Sequence, residues 1–278
     1  MANIDTSDYL YHYTSIESLA LILKNRTIRL NPLSTMDDRQ EQQTFDMKGL
    51  GNYIFVSSWT DETKENIPMW NMYTSLSAGV RIGMKKNPFK FIGTKGTDFV
   101  TVLKTDPRNI QGLENSAATF LNIADMIKRN ILSPQCWNGN ILMKVKYTDD
   151  PSELVPQIIT TTEEGTNFSF GSLGCAKNTF WSFQKEWRYI MQIYPYNWSV
   201  STEEGYKQFL QSIIQIMKGT DVPSIGYYDL TIADDAFSSM IVTPSPRMTA
   251  GNRILLDTLL EKYNPYAQIV NSELTGLI

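Results

Sequence analysis

The only histidine of the 278-residue chain, His12, lies in the stretch Tyr9-Leu10-Tyr11-His12-Tyr13-Thr14-Ser15. An imidazole has a pKa near neutrality, so it can exchange a proton or hold a polar ligand group at physiological pH. A histidine among tyrosines can equally be a hydrogen-bonded structural residue. The sequence therefore marks His12 as a candidate for gripping a ligand and leaves the structural role open.

A second group of reactive side chains stands late in the chain, in Trp181-Ser182-Phe183-Gln184-Lys185-Glu186-Trp187-Arg188. If this segment ends in a strand, Glu186 and Arg188 point to the same face, because strand side chains alternate. The two groups could then form an ion pair. Such a pair is either purely structural or a means of orienting a catalytic carboxylate, and both hypotheses remain.

Two motifs of aromatic and hydroxyl side chains lie between these groups. Ser57-Ser58-Trp59 ends an apolar stretch, and Trp70 stands three residues before Tyr73, ahead of Gly79-x-x-Ile82-Gly83. Residues three apart share a face of a helix, so the rings of Trp70 and Tyr73 would lie side by side. They would either pack in the core or contact a ligand. Aromatic rings such as these can stack on a flat heterocycle.

Composition and motif content exclude several classes of site. A net charge of −4 argues against a basic nucleic-acid surface. Cys136 and Cys175 are far apart, and with one histidine they cannot complete a tetrahedral zinc site without carboxylates, so we predict no metal. The glycine-rich nucleotide loops are absent, and so is the Gly-x-Ser-x-Gly elbow that would support a hydrolase using His12 as its base.

Nothing in the hydropathy pattern predicts a membrane protein. The N-terminal residues Met1 to Asp8 are polar and acidic, without the apolar core of a secretory leader. No apolar run approaches the roughly 18 residues that a membrane-spanning helix needs. We therefore expect a cytoplasmic protein that makes no membrane contact.

The candidate residues fall near the ends of predicted strands. Ser15 is a predicted N-cap, so His12 would lie close to a strand-to-helix junction, where binding sites of mixed α and β proteins often occur. Periodicity predicts further strands over Thr27–Leu30, Asn52–Trp59, Gly79–Met84, Phe99–Lys104, Ile141–Tyr147, Trp187–Ile193, Ser224–Ile232, Met240–Thr243 and Ala267–Val270. It predicts helices over Ile16–Asn25, from Pro68, over Asn109–Leu132, Pro151–Ile159, from Lys177, over Glu203–Met217 and Met248–Tyr263.

The order of these elements predicts the fold class. Strands and helices are interspersed without strict alternation, which favours an α+β fold with a mixed, mostly antiparallel sheet and flanking helices over a doubly wound parallel one. We expect one domain over residues 1–278, with a helical and loop insertion around 105–175. The segment Thr160–Gly174, rich in Thr, Gly and Ser, is the predicted mobile surface loop.

Several short motifs along the chain together resemble a bacterial family known as domain of unknown function 2971. The similarity rests on Tyr11-His12-Tyr13-Thr14-Ser15, Ile28-Arg29-Leu30-Asn31-Pro32 with a following Asp-Asp, Trp70-x-x-Tyr73, Lys185-Glu186-Trp187-Arg188 and Asn271-Ser272-Glu273-Leu274. The motif order also resembles, more distantly, the ADP-ribosyltransferase superfamily. That resemblance implies a split sheet, NAD as a substrate and no metal.

The superfamily resemblance implies roles for particular residues. His12 matches a first-strand residue that grips the ribose and carboxamide of NAD, Tyr73 or Ser57-Ser58 matches the residue that packs the nicotinamide, and Glu186 matches the late acid that polarises a ribose hydroxyl. The implied catalytic set is therefore Glu186, His12 and Tyr73. The implied cofactor-binding set is Tyr13, Thr14, Ser57, Ser58, Trp59, Trp70, Gln184 and Arg188.

This chain departs from the superfamily pattern at two motifs. His12-Tyr13-Thr14 replaces His-Gly-Thr, and Ser57-Ser58-Trp59 replaces Ser-Thr-Ser, which bears on catalysis more than on the fold. By contrast, Gln184-x-Glu186 resembles a Gln-x-Glu pair whose first residue helps to choose the acceptor.

The chemistry implied by the resemblance is coherent. Cleavage of the N-glycosidic bond of NAD develops positive charge on the ribose, which a nearby carboxylate can stabilise. We therefore expect an NAD- or nucleotide-binding protein that transfers ADP-ribose to a protein or nucleic acid, in bacterial or phage conflict. The alternatives are a non-catalytic ligand-sensing or interaction module on the same fold, and a nuclease or phosphotransferase using Arg29, Arg81 and Arg188 to grip phosphate.

Overall fold

The computed structural model describes residues 8–91, 120–121, 123–133, 141–196 and 202–278. Within these ranges the chain forms an α+β structure with one large, mostly antiparallel sheet and flanking helices, which confirms the predicted fold class. No helix in these ranges is long and apolar enough to cross a membrane. The predicted strand Phe99–Lys104 and half of the predicted helix Asn109–Leu132 lie outside the described residues.

The elements are numbered here in chain order within the described ranges. The strands are β1 (Tyr9–Ser15), β2 (Thr27–Pro32), β3 (Ile54–Thr60), β4 (Gly79–Lys85), β5 (Ile131–Leu132), β6 (Leu142–Lys144), β7 (Lys146–Thr148), β8 (Ile159–Thr162), β9 (Gly165–Phe168), β10 (Ala176–Asn178), β11 (Glu186–Gln192), β12 (Tyr194–Pro195), β13 (Tyr228–Thr231), β14 (Ile241–Pro244) and β15 (Gln268–Ile269).

The helices of the same ranges are α1 (Ile16–Asn25), α2 (Ile67–Tyr73), α3 (Ile123–Lys128), α4 (Pro151–Leu154), α5 (Glu203–Met217), α6 (Asp234–Ser238) and α7 (Ala250–Tyr263). Short 3₁₀ turns span Leu33–Thr35, Leu50–Asn52, Phe170–Ser172 and Thr179–Gln184. The last of these turns leads directly into β11.

The large sheet consists of two halves that meet at a single ladder pair. In one half β1 pairs antiparallel with β4 over seven residues, β4 pairs with β14, and β15 continues parallel to β14. In the other half β3 pairs antiparallel with β11 over seven residues, β6 extends beyond β11, and β2 and β13 lie on the opposite side. Tyr11 opposite Thr60 is the pair that joins β1 to β3.

The first three residues of β3 are all apolar because both faces of the strand are covered there. Phe55 and Trp59 belong to the main core, which also holds α1 and α7 residues such as Leu19 and Leu256. Ile54 and Val56 point the other way, into a smaller core. Alternation of side chains along a strand thus accounts for the unbroken apolar run in the sequence.

The junction after β1 forms as predicted. The Ser15 side chain accepts a hydrogen bond from the Ser18 backbone N–H at 3.2 Å, which satisfies one of the donors exposed at the start of α1. The helix ends at Arg26, whose left-handed backbone (φ 55°) turns the chain back into β2. The short helix α1 therefore connects β1, which carries His12, to β2.

Two predicted helices are wrong over part of their length. The helix predicted from Lys177 is instead the strand Ala176–Asn178 followed by a 3₁₀ turn over Thr179–Gln184, which the Asn178 side chain caps. The helix predicted over Pro151–Ile159 ends at Leu154, and Ile159 begins strand β8.

Three other predicted elements also differ from the structure. The expected loop Thr160–Gly174 contains most of the antiparallel hairpin β8–β9, because its threonines are β-branched and favour strands. Glu163 and Glu164 form the turn between the paired residues Thr162 and Gly165. The predicted helix end at Leu132 is wrong, since Ile131–Leu132 is a strand paired with β12. The predicted strand Ile141–Tyr147 is extended but divided at Val145, where the chain leaves β11 and pairs with β10.

Candidate functional site

A gap in the large sheet lies along one edge of β3. On that edge β2 pairs with Val56 and Phe55, whereas β1 pairs only with Thr60. Within the described ladders the intervening residues, Ser57 to Trp59, are paired on the β11 side alone. The strands β1 and β2 therefore diverge beside the Ser57-Ser58-Trp59 motif.

A cleft of about 400 Å³ opens at this divergence. It is the place where nearly all of the residues singled out in the sequence come together. His12, Glu186 and Tyr73 line one cavity. The remaining candidates also line it, with the single exception of Trp70. These are Tyr13, Thr14, Ser57, Ser58, Trp59, Gln184 and Arg188.

His12 bridges the gap in the sheet. Its Nδ1 lies 2.8 Å from the Ser58 carbonyl oxygen, so the ring takes the place of a neighbouring strand. A carbonyl only accepts, which assigns the proton to Nδ1 and leaves Nε2 as an acceptor. Burial lowers the pKa of His12 and favours the neutral imidazole. His12 is thus built to accept a hydrogen bond rather than to carry charge.

Most of the aromatic rings near the cleft are buried in the core. Trp59 is 2% exposed, packs against Tyr189 and donates its indole N–H to the Ser57 hydroxyl. Tyr13 is 4% exposed, and its hydroxyl accepts from the Asn66 backbone N–H. These rings offer little surface for stacking on a ligand, because the core already covers them.

Trp70 is the one candidate that does not line the cleft. It is fully buried, lies edge-on to Tyr13 and donates its indole N–H to Glu65. Tyr73, three residues later on α2, does line the cleft and is half-buried. The shared helix face therefore runs from the core to the cleft, and only Tyr73 is placed to contact a ligand.

Four buried charged residues form a closed cluster at the cleft, here called the charge cluster: Glu41, Lys177, Glu186 and Arg188. The Arg188 Nε lies 2.6 Å from the Glu186 Oε1, which confirms that this pair forms on one face of β11. Lys177, on β10, reaches both carboxylates at 3.2 Å, and Arg188 also contacts Glu41. Each cation therefore serves two carboxylates.

The charge cluster keeps Glu186 ionised. Burial raises the pKa of Glu186, but the charges of Arg188 and Lys177 outweigh that effect and hold the pKa at about 2. The Ser58 hydroxyl also stabilises the carboxylate. Since the Ser58 carbonyl holds His12, one residue connects the imidazole to the acid. A carboxylate of this kind can stabilise positive charge, but it has no proton to give.

A polar chain leads from the charge cluster to α2. Lys177 donates to the Gln184 side-chain oxygen at 2.8 Å, and the Gln184 amide donates to the Tyr73 hydroxyl. Burial, followed by the charge of Glu186, raises the pKa of Tyr73, so the phenol keeps its proton. That proton is available to donate, since Gln184 uses only the phenol oxygen.

Sequence reasoning missed two members of the charge cluster. Glu41 lies in the irregular segment between two 3₁₀ turns, and Lys177 lies on the short strand β10. Neither residue has a spacing relation to Glu186 that periodicity could detect. The sequence signal available was only the pairing potential of Glu186 and Arg188.

Each of the three arginines of the phosphotransferase alternative already has a carboxylate or carbonyl partner. Arg29, which lines the cleft, donates two hydrogen bonds to the carboxylate of Asp229. Arg81 lies outside the cleft lining, donates to the carbonyls of Glu62 and Thr63 and packs on Tyr11. Only Arg29 and Arg188 therefore line the cleft, and each already has an acidic partner.

In the described part of the chain no group of His, Cys, Asp and Glu side chains has the geometry of a metal site. Cys175 is half-buried and donates to the Gly171 carbonyl at 2.9 Å, and Cys136 lies outside the described residues. Comparisons of the chain with protein-family models, with curated proteins and with solved structures find no match.

The low pKa of Glu186 makes stability sensitive to acid. The folded value of about 2 is below the ordinary value of 4.5, so the stabilisation is complete above about pH 4.5 and is lost as the pH falls towards 2. We expect the free energy of unfolding of the wild type to exceed that of Glu186→Gln by a few kcal/mol at pH 6, and the difference to shrink at pH 3. Urea titrations at both pH values measure it. A difference that does not change with pH would contradict the assignment.

Proposed function

We propose that the cleft between β1 and β2 binds the nicotinamide half of NAD and that the protein is an ADP-ribosyltransferase-like enzyme. The observation that carries the proposal is the meeting of His12, Ser58, Tyr73 and an ionised Glu186 in one cleft. The motif resemblance to the superfamily is consistent with a sheet split at this position.

The chemical state of each group suits cleavage of an N-glycosidic bond. The nicotinamide ring of NAD carries a positive charge, and as the bond breaks the bonding electrons neutralise the ring and the positive charge moves to the ribose. Glu186 is ionised at neutral pH and can stabilise that charge. The unprotonated Nε2 of His12 can accept a hydrogen bond from a ribose hydroxyl, and the Tyr73 phenol can donate to the carboxamide oxygen.

A non-catalytic ligand-binding module is the second candidate. The specific observation in its favour is that each Glu186 oxygen already has a cationic partner, with Arg188 on Oε1 and Lys177 on Oε2. A carboxylate held in this way is available to a reacting ribose only if a partner shifts. Binding without turnover needs no such movement.

Incubation with NAD labelled in the adenylate phosphate tests the proposal. Nicotinamide release together with label on a protein or nucleic acid supports transfer. NAD binding by calorimetry without release supports the binding module. Absence of both binding and release contradicts the assignment of NAD to this cleft.

Substitution of His12 separates its ligand role from its structural role. In His12→Asn the side-chain amide can still donate to the Ser58 carbonyl, but the Nε2 acceptor is lost. We expect NAD affinity to fall about tenfold, the value of one hydrogen bond, with little change in melting temperature. Calorimetry and thermal unfolding measure the two effects. His12→Ala is the control, since it also removes the bond to Ser58. If Asn restores stability and NAD affinity is unchanged, His12 is purely structural.

A further inference from the structure

The lining of the cleft carries more negative than positive charge. Arg29, Lys177 and Arg188 provide three cations, whereas five carboxylates face them, namely Asp37, Asp38, Glu41, Glu186 and Asp229. The net charge of −2 suits a positively charged nicotinamide but opposes the pyrophosphate of a dinucleotide. A cleft that takes the whole dinucleotide therefore needs a way to expose positive charge.

Of the two carboxylates in the charge cluster, Glu41 is the one that can leave. Glu186 is fixed on β11, which is hydrogen-bonded between β3 and β6. Glu41 lies in residues 37–43, whose backbone hydrogen bonds within the described chain are local, such as Gln43 N–H to the Gln40 carbonyl and Gln40 N–H to the Asp38 carboxylate. Movement of this segment would not break a strand ladder.

The contacts of Glu41 are those of an anion in a two-cation site. Its Oε1 lies 3.2 Å from the Lys177 ammonium, and its Oε2 contacts the Arg188 guanidinium. The Glu41 side chain is 1% exposed, and the structure gives its oxygens these two cations and no hydrogen-bond donor beyond them. The Arg188 guanidinium is also held by the backbone, because the same Nη1 that contacts Glu41 donates to the Gly174 carbonyl at 2.9 Å.

Removal of Glu41 leaves a charge that matches a phosphate oxyanion. The charge cluster is neutral as found, and Lys177, Arg188 and Glu186 without Glu41 carry a net charge of +1. A buried net charge is costly unless a counter-ion replaces the lost partner. An arginine and a lysine held at one position are common phosphate ligands in proteins.

We propose that Lys177 and Arg188 form a binding subsite for a phosphate oxyanion, and that Glu41 occupies this subsite until a ligand displaces it. This assignment of the ligand rests on the proposed function: the oxyanion is part of the pyrophosphate of NAD. The segment carrying Glu41 then moves when the dinucleotide binds.

Binding of inorganic pyrophosphate to Glu41→Gln tests the subsite without using NAD. We expect the variant to bind pyrophosphate at least tenfold more tightly than the wild type in calorimetry. Asp37→Asn is the matched control, because it removes the same charge from the same cleft wall and segment while leaving both cations paired with Glu41; we expect its affinity to stay within about twofold of the wild type. In Glu41→Gln with Lys177→Met the gain should disappear.

The result that overturns the proposal is pyrophosphate affinity of Glu41→Gln no higher than that of Asp37→Asn. If Glu41→Gln does not fold in the absence of a ligand, thermal unfolding with pyrophosphate tests the subsite instead. Pyrophosphate must then restore the folded state, and failure to do so overturns the subsite.

Hydrogen exchange in the wild type tests the displacement of Glu41. The exchange rate of amides 37–43 should rise with saturating pyrophosphate, and no rise overturns the displacement. A gain for Glu41→Gln together with no NAD binding by any variant refutes the proposed function and leaves the oxyanion subsite standing.

Discussion

Replacement of Arg188 by methionine is expected to lower the free energy of unfolding by about 3–5 kcal/mol. Arg188 is 1% exposed and pairs with both Glu41 and Glu186, so its loss leaves two buried carboxylates facing a single lysine. An uncompensated charge inside a protein costs far more than the ion pair itself contributes. Urea denaturation at pH 7 measures the loss.

Two further variants show whether burial is the cause of this effect. Lys185→Met removes an exposed ion pair with Glu62 at the start of the same strand and should cost less than about 1 kcal/mol. Glu41→Gln combined with Arg188→Met keeps the remaining charges balanced and should recover most of the loss. A cost below about 1 kcal/mol for Arg188→Met alone would mean that water reaches the cluster and screens it.

Substitution of Glu186 by glutamine is expected to reduce NAD cleavage by about 100- to 1000-fold. The amide has nearly the same shape but lacks the charge that stabilises a cationic ribose. Since the pKa of Glu186 is about 2, the wild-type carboxylate is ionised throughout the neutral range, and the rate should not fall through deprotonation or protonation of this group between pH 5 and pH 8. Nicotinamide release under saturating NAD measures the effect.

Glu62→Gln is the control for this substitution. Glu62 is also a glutamate paired with a lysine close to β11, but its pair with Lys185 is exposed. Its replacement should leave the rate of NAD cleavage within about twofold of the wild type. If Glu186→Gln cleaves NAD as fast as the wild type, another group stabilises the ribose cation. That result would remove Glu186 from the proposed mechanism.

The position of His12 illustrates how far local sequence information reaches. Alternation and the capping residue Ser15 predicted a strand followed by a helix, because both signals depend on neighbours a few residues away. The same local rules predicted that Glu186 and Arg188 share a face, and the structure confirms their pair. They could not predict that His12 meets the Ser58 carbonyl, since this contact depends on where β1 separates from β2.

Burial of the aromatic residues was not predictable in the same way. Trp59, Trp70 and Tyr73 all read as possible ligand contacts, yet the first two are enclosed by the core and only Tyr73 is half-exposed in the cleft. Helical or strand periodicity states which side chains share a face. It does not state where along that face the core ends and the cleft begins, because this depends on packing of elements distant in sequence.

The sequence by itself determined the order of most strands and helices, the absence of the common glycine loops, and the pair on β11. Only the tertiary structure determined the charge cluster, because Glu41, Lys177 and the β11 pair come from three separate segments that fold against one another. Local patterns are set by backbone geometry over a few residues, whereas the state of a buried charge is set by every group that packs around it. Glu41, which no sequence pattern marked, is for that reason central to the proposed oxyanion subsite.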